Sequence, residues 1–172
     1  MIQRIQTLYL LGVAVFTTLV ATLPLARFSA GLNEMCLKSF GIVQTATAED
    51  IVAAATDDYI PVKETIGLAA TPFLSIVVVL ALAVAVVTIF LYKRRLLQIR
   101  LCAVEIVLQL GVAAFIFFYI ARMTKVVSEF DIHGSYFTAV VAFPFISMIL
   151  SYLALRAIVR DEAMVRSLDR IR

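Results

Sequence analysis

Cys102, Glu105 and Gln109 recur at intervals of three and four residues within a stretch that is otherwise apolar from Leu101 to Ala121. On a helix this spacing sets all three on one face. Glu105 is the only charged side chain inside any of the chain's long apolar runs. An acid at mid-membrane costs roughly 2.5–3.5 kcal/mol on insertion scales, so such a residue needs a reason to be there. Glu105 lies five residues from Arg100, a rise of about 7.5 Å, which places it toward one edge of a membrane rather than at its centre. Two readings fit. The trio is a proton or cation site, or polar glue to a partner helix. Alternatively, the carboxylate reaches the headgroup layer or meets Arg100, and serves only to orient its helix.

Other reactive residue types are thinly spread. Glu129, Asp131 and His133 alternate, which on a strand would put them on one face. A metal would need further ligands, from Asp57 or Asp58, and a solvated loop face is the expectation. Cys36 and Cys102 are expected on opposite sides of a membrane, too far apart for the ~4.4–6.8 Å Cα separation of a disulfide. The sequence holds no G-x-S-x-G, H-E-x-x-H, P-loop or dinucleotide-binding fingerprint. No enzyme activity and no cofactor are expected.

The elements that position these residues follow from composition. Of 172 residues, 63% are hydrophobic and 16% charged, with a mean hydropathy of +1.02. A soluble domain is about 45–50% apolar and about 25% charged. An ordinary soluble enzyme, a disordered chain and a nucleic-acid-binding protein are all excluded on this ground, so no nucleic-acid partner is expected. What remains is an integral membrane protein. Four stretches, at about 5–25, 68–92, 101–121 and 137–155, have the ~20 apolar residues needed to cross ~30 Å of hydrocarbon. The first exceeds the ~7–15 residues of a signal-peptide core and lacks an A-x-A-like cleavage site, so it reads as a retained anchor. The expected fold is all-α: a single domain over 1–172, built as a four-transmembrane-helix bundle with a small α/β loop region on its outer face.

That loop region spans 26–67. One or two short strands are expected near 35–43, a short helix at 48–55 and an extended run at 59–63. The second outer loop, 123–136, can add a strand. Residues 156–172 contain no Gly or Pro and form a helical tail. Pro144 is expected to kink the fourth span near 140–143. Ala14, Thr18 and Thr22, Ala81 and Ala85, and Ser147 and Ser151 have the spacing of close helix packing.

Charge sets the orientation. With the first residue inside, Arg4, Lys93, Arg94, Arg95, Arg100, Arg156, Arg160, Arg166, Arg170 and Arg172 face the cytoplasm, ten of the fifteen basic residues. Eight of the twelve acids fall outside. The short turn around Lys93–Arg95 weighs most, because short loops near span ends decide topology. Both termini are therefore expected in the cytoplasm. Lys93, Arg94, Arg95, Arg100, Arg160, Arg166 and Arg170 form the candidate surface for membrane lipids, a membrane-protein partner or a second copy of the chain.

Three separated blocks carry a family resemblance: Met1-Ile2-Gln3-Arg4-Ile5-Gln6-Thr7 with Tyr9-Leu10-Leu11; Tyr92-Lys93-Arg94-Arg95 with Leu97-Gln98-Ile99-Arg100-Leu101-Cys102; and Arg156-Ala157-Ile158, Arg160-Asp161-Glu162-Ala163 and Val165-Arg166-Ser167-Leu168-Asp169-Arg170-Ile171-Arg172. Together they resemble the domain of unknown function 4293 family, small four-span proteins of the bacterial inner membrane. The resemblance covers essentially the whole chain. It implies a four-helix bundle with cytoplasmic ends and implies no activity. The leading expectation is a non-catalytic scaffold or accessory subunit of a membrane or envelope assembly. The alternative is an oligomeric small transporter or channel subunit using Glu105. A third reading, an envelope enzyme acting on lipid, would need Asp57, Asp58, Asp131 and His133.

Overall fold

A computed structural model gives the architecture and describes residues 3–30, 33–45, 71–91, 94–129 and 135–169, some near element ends by backbone alone. Helix α1 (Gln3–Thr22) leads into strands β1 (Ala26–Ala30), β2 (Asn33–Lys38) and β3 (Gly41–Thr45). Helices α2 (Pro72–Phe90) and α3 (Arg95–Glu129) follow. Strand β4 (Ser135–Phe137), a 3-10 segment (Ala139–Ala142) and helix α4 (Phe143–Asp169) complete the order. The short helix expected at 48–55 and the extended run at 59–63 lie outside the described residues.

The four helices pack in a ring. α1 touches α2 and α4, α3 touches the same two, and α1 and α3 stand across the diagonal. Register along α1 and α4 is set at three levels. Gln6 Nε2 donates to the Ala157 carbonyl at 3.3 Å. Gly12 faces Leu150, whose Cδ1 would lie 3.1 Å from a Cβ placed there. The Phe16 and Phe143 rings meet edge-on at 5.2 Å. At the opposite corner Gln98 Nε2 donates to the Thr88 carbonyl at 3.3 Å, tying the first turn of α3 to the last turn of α2.

The core of this bundle is apolar with polar side chains set into it, and its outer surface is apolar as well. Phe90, Val107 and Phe73 are 74%, 69% and 64% exposed, whereas Gln6, Thr17, Thr88, Gln98, Glu105 and Gln109 are buried. Large apolar side chains left on the outside mark a surface that seeks apolar surroundings. Three helical stretches, Pro72–Phe90, Leu96–Lys125 and Ala139–Met164, are long and apolar enough to cross a membrane. The apolar part of α1, Gln6–Thr22, has seventeen residues, about 26 Å of helix.

Several helix ends differ from those expected. The first apolar run reaches residue 25, but α1 stops at Thr22, because Pro24 disfavours helical backbone at the residue before it. α2 begins at Pro72, with Thr71 non-helical; proline suits the first helical turn, where its missing N–H costs nothing. α3 has 35 residues and takes in the segment around 123–129 expected as loop. Arg122 and Lys125 end the apolar run without breaking backbone hydrogen bonding, so the helix outlasts the hydropathy. Pro144 stands in the first turn of α4, and the expected irregularity near 140–143 is seen as the 3-10 segment Ala139–Ala142 that runs into that helix.

The sheet is larger than the pair expected. Four antiparallel strands run in the order β3-β2-β1-β4, with Ala26 opposite both Leu37 and Phe137. β4 is the strand contributed by the second loop. Phe28 and Leu37 point inward and are buried with Leu74, Val78, Ile116, Tyr119, Met123 and Val140, so the sheet closes one end of the bundle. The β2–β3 turn is fastened to it. Ser39 Oγ donates to the Val20 carbonyl at 2.6 Å, while Thr71 Oγ1 and Ser75 Oγ both donate to the Ser39 carbonyl, at 2.8 and 2.7 Å.

Candidate functional site

Glu105 and Gln109 lie one helical turn apart on the inward face of α3, and both are buried. Gln109 Nε2 donates to Glu105 Oε1 at 2.9 Å and to Thr17 Oγ1 of α1 at 2.7 Å. Thr17 passes the chain on, donating to the Val13 carbonyl at 2.8 Å. The amide therefore spans the bundle diagonal and uses both of its N–H donors. Glu105 is 1% exposed, so its carboxylate turns into the bundle and does not meet Arg100, which is exposed.

The second carboxylate oxygen is different. Among the described residues, Glu105 Oε2, Ser147 Oγ and Ser151 Oγ are buried side-chain oxygens without a hydrogen-bond partner. Elsewhere in the helices, Thr17, Thr18, Thr22, Thr88 and Thr124 each donate to the carbonyl four residues back. Ser147 and Ser151 do not. Ser147 falls level with Glu105, and Ser151 lies one helical turn beyond it. Phe16 meets Phe143, and Gln109 bonds Thr17, the residue next to Phe16. One turn further toward the start of α1 from that layer, α4 presents Ser147 and α3 presents Glu105. Ala81 and Ala85, both buried, come from α2. They fall at this depth because Gly111 faces Val77. Small side chains and unpartnered oxygens therefore occupy adjoining turns of the interior.

Cys102 is buried one turn away, but in an apolar cluster with Leu10, Ala154 and Ile158. All three residues of the predicted face are buried, with a hydrogen bond joining Glu105 to Gln109. Cys36 lies in β2, and both cysteines are free. Glu129 ends α3 rather than lying on a strand; Asp131, His133, Asp57 and Asp58 lie outside the described residues. No group of three potential metal ligands occurs among the described residues.

Of the basic residues, Arg94, Arg100 and Arg160 are exposed at the end of the bundle where α1 begins. Arg95 and Arg166 belong to α3 and α4 by backbone, and Lys93 and Arg170 lie outside the described residues. The stripe Ala14, Thr18 and Thr22 is a correction. Thr18 and Thr22 are exposed, and the packed face of α1 is Leu10, Val13, Thr17 and Val20. Sequence reasoning missed Thr17 as the partner of Gln109. Its signal was available: a polar residue in phase with Leu10, Val13 and Val20. The hydroxyl staple of Ser39, Thr71 and Ser75 carries no such periodic signal.

A comparison with curated proteins finds no match. The family model described as domain of unknown function (DUF4293) matches residues 2–171. With the match running through all four helices and the sheet, the chain belongs to the domain of unknown function 4293 family.

Proposed function

We propose that the chain is a four-span protein of the bacterial inner membrane, with both ends in the cytoplasm, acting as a non-catalytic scaffold or accessory subunit of a membrane assembly. The observation that carries the membrane part is the apolar outer surface: Phe73, Phe90, Val107 and other large apolar side chains face outward while Gln6, Gln98, Glu105 and Gln109 are buried. α1 joins as the fourth span because it packs against α2 and α4 while turning Leu8, Leu11 and Val15 outward. Orientation rests on the inward arginine and lysine surplus. The scaffold role is supported by the sheet-capped, cross-tied bundle and by α4, which continues as helix to Asp169, beyond the apolar part of the fourth span. Tags at the two ends should both report the cytoplasm. Affinity purification in mild detergent should recover a stoichiometric partner or a defined homo-oligomer; a solitary monomer would count against the role.

A second reading, an oligomeric transporter or channel subunit, is favoured by one observation: the buried, unpartnered oxygens of Glu105, Ser147 and Ser151. Ion flux in proteoliposomes that disappears on Glu105→Gln supports it. Absence of flux, or flux indifferent to that substitution, removes it.

A further inference from the structure

At the end of the bundle where α1 begins, a groove of about 490 Å³ runs along α4 beside Tyr9 of α1. Its lining changes character with depth. Leu153 lies at one end, Arg156 and Arg160 follow at one-turn spacing, and Asp161 and Met164 come last. Counting 1.5 Å per residue, Leu153 to Met164 covers about 16 Å. The headgroup layer of one leaflet is only about 5–7 Å deep. A groove of this length reaches from the acyl boundary, through the headgroups, to water. Its size is that of a small-molecule site, about 300–1,000 Å³.

We propose that this groove binds one anionic phospholipid of the leaflet it faces. The acyl end lies against Leu153, and the phosphodiester sits between the Arg156 and Arg160 guanidiniums. Both arginines are exposed, and the planar fork of guanidinium suits phosphate oxygens. The charge matches: two arginines and Asp161 leave one net positive charge against one phosphodiester. Asp161, at the aqueous end, disfavours a doubly charged free phosphate. It accepts hydrogen bonds from a headgroup bearing hydroxyls, as a glycerol headgroup does. Tyr9 supplies the amphipathic ring typical of a membrane interface.

The groove is preformed. Tyr9 packs on the cluster of Leu10, Cys102, Ala154 and Ile158, and Gln6 pins α1 to the Ala157 carbonyl. Ala157 lines the groove, and its small side chain leaves the space open.

This site rests on the four-span reading, which places this end of the bundle at a leaflet surface. The test uses the full chain in mild detergent and native mass spectrometry with phosphatidylglycerol, phosphatidylcholine and free glycerol 3-phosphate. One phosphatidylglycerol per chain is expected, with neither of the others retained. The double variant R156Q/R160Q should weaken retention about 30-fold, roughly five-fold for each base at the membrane surface. Ala157→Phe should weaken it by filling the groove, with both arginines intact. Because Ala157→Phe leaves the charges in place, it decides the matter if the arginine variant fails to fold. Equal retention of phosphatidylcholine, equal binding of glycerol 3-phosphate, or wild-type retention by a folded variant overturns the site. With both end tags cytoplasmic, unselective retention sinks the site alone. Tags in opposite compartments sink the four-span reading and the site with it.

Discussion

Gln109 of α3 and Thr17 of α1 are joined by a 2.7 Å hydrogen bond across the diagonal of the bundle, between two helices that are not ring neighbours. The same Gln109 nitrogen holds Glu105 Oε1. One side chain therefore fixes both the separation of the diagonal helices and the direction of the buried carboxylate. Loss of Gln109 should be felt in two places, and loss of Thr17 in one.

Thr17→Val should cost about 0.6 kcal/mol and at most ~1.7 kcal/mol, the range measured for interhelical hydrogen bonds in membranes. Gln109→Leu should cost more, about 1–3 kcal/mol, because it also leaves Glu105 Oε1 without its donor. Unfolding in mixed micelles measures both. In the double variant, Thr17→Val should add little to Gln109→Leu, since the bond it removes is already gone.

Glu105→Leu separates architecture from function. A buried carboxylate with one oxygen unpartnered is an expensive group, and replacing such a group by an apolar one of similar size is often neutral or stabilising. Against this stands the lost acceptor for Gln109. The net change should lie within ~1 kcal/mol of zero. A loss of several kcal/mol in micelle unfolding would show instead that the carboxylate holds the bundle together.

The helical framework was legible in the sequence because hydropathy runs of near-membrane length admit few alternatives, and the face shared by Glu105 and Gln109 followed from helical periodicity. Helix ends were not legible to the same degree. Arg122 and Lys125 end an apolar run without ending the hydrogen-bonded helix that continues to Glu129. Pro144 falls inside an apolar run that starts before it, whereas the α-helix starts only at Phe143. The direction of the Glu105 carboxylate depended on Thr17, 88 residues earlier in the chain, and no local pattern specifies that pairing. Thr18 and Thr22 had packing spacing but lie on the outer face, since spacing alone does not say which side of a helix turns inward.

The sheet should be held to the bundle by hydroxyls. Ser39→Ala removes the bond to the Val20 carbonyl, and the pair Thr71→Val with Ser75→Ala removes both bonds to the Ser39 carbonyl. Each loss should cost about 1 kcal/mol. Hydrogen exchange of the β2 and β3 amides should quicken before that of the helices, because the substitutions release the cap and leave the ring of helices intact.

Gly12 of α1 faces Leu150 of α4. A Cβ there would lie 3.1 Å from Leu150 Cδ1, the mobile end of a side chain, so Gly12→Ala should change stability by less than ~1 kcal/mol. Helix propensity itself favours alanine by about that amount. Gly12→Leu cannot be absorbed by one rotamer and should cost about 1–3 kcal/mol as overpacking. The Gln6–Ala157 and Phe16–Phe143 contacts on either side would open together, and cysteine cross-linking between positions 6 and 157 would report the separation.

The two cysteines provide a native test of topology. Cys36 is partly exposed in β2, on the sheet that closes the far end of the bundle, while Cys102 is buried among Leu10, Ala154 and Ile158 near the other end. With both termini in the cytoplasm, a membrane-impermeant maleimide added to cells with a permeabilised outer membrane should label Cys36. Cys36→Ser should abolish that signal. Cys102 should stay unlabelled even after the inner membrane is opened, because packing rather than sidedness shields it, and should react only in denaturant. Labelling of Cys36 solely after the inner membrane is breached would invert the orientation. Rapid labelling of Cys102 in the folded protein would show that the cluster around Leu10 does not close.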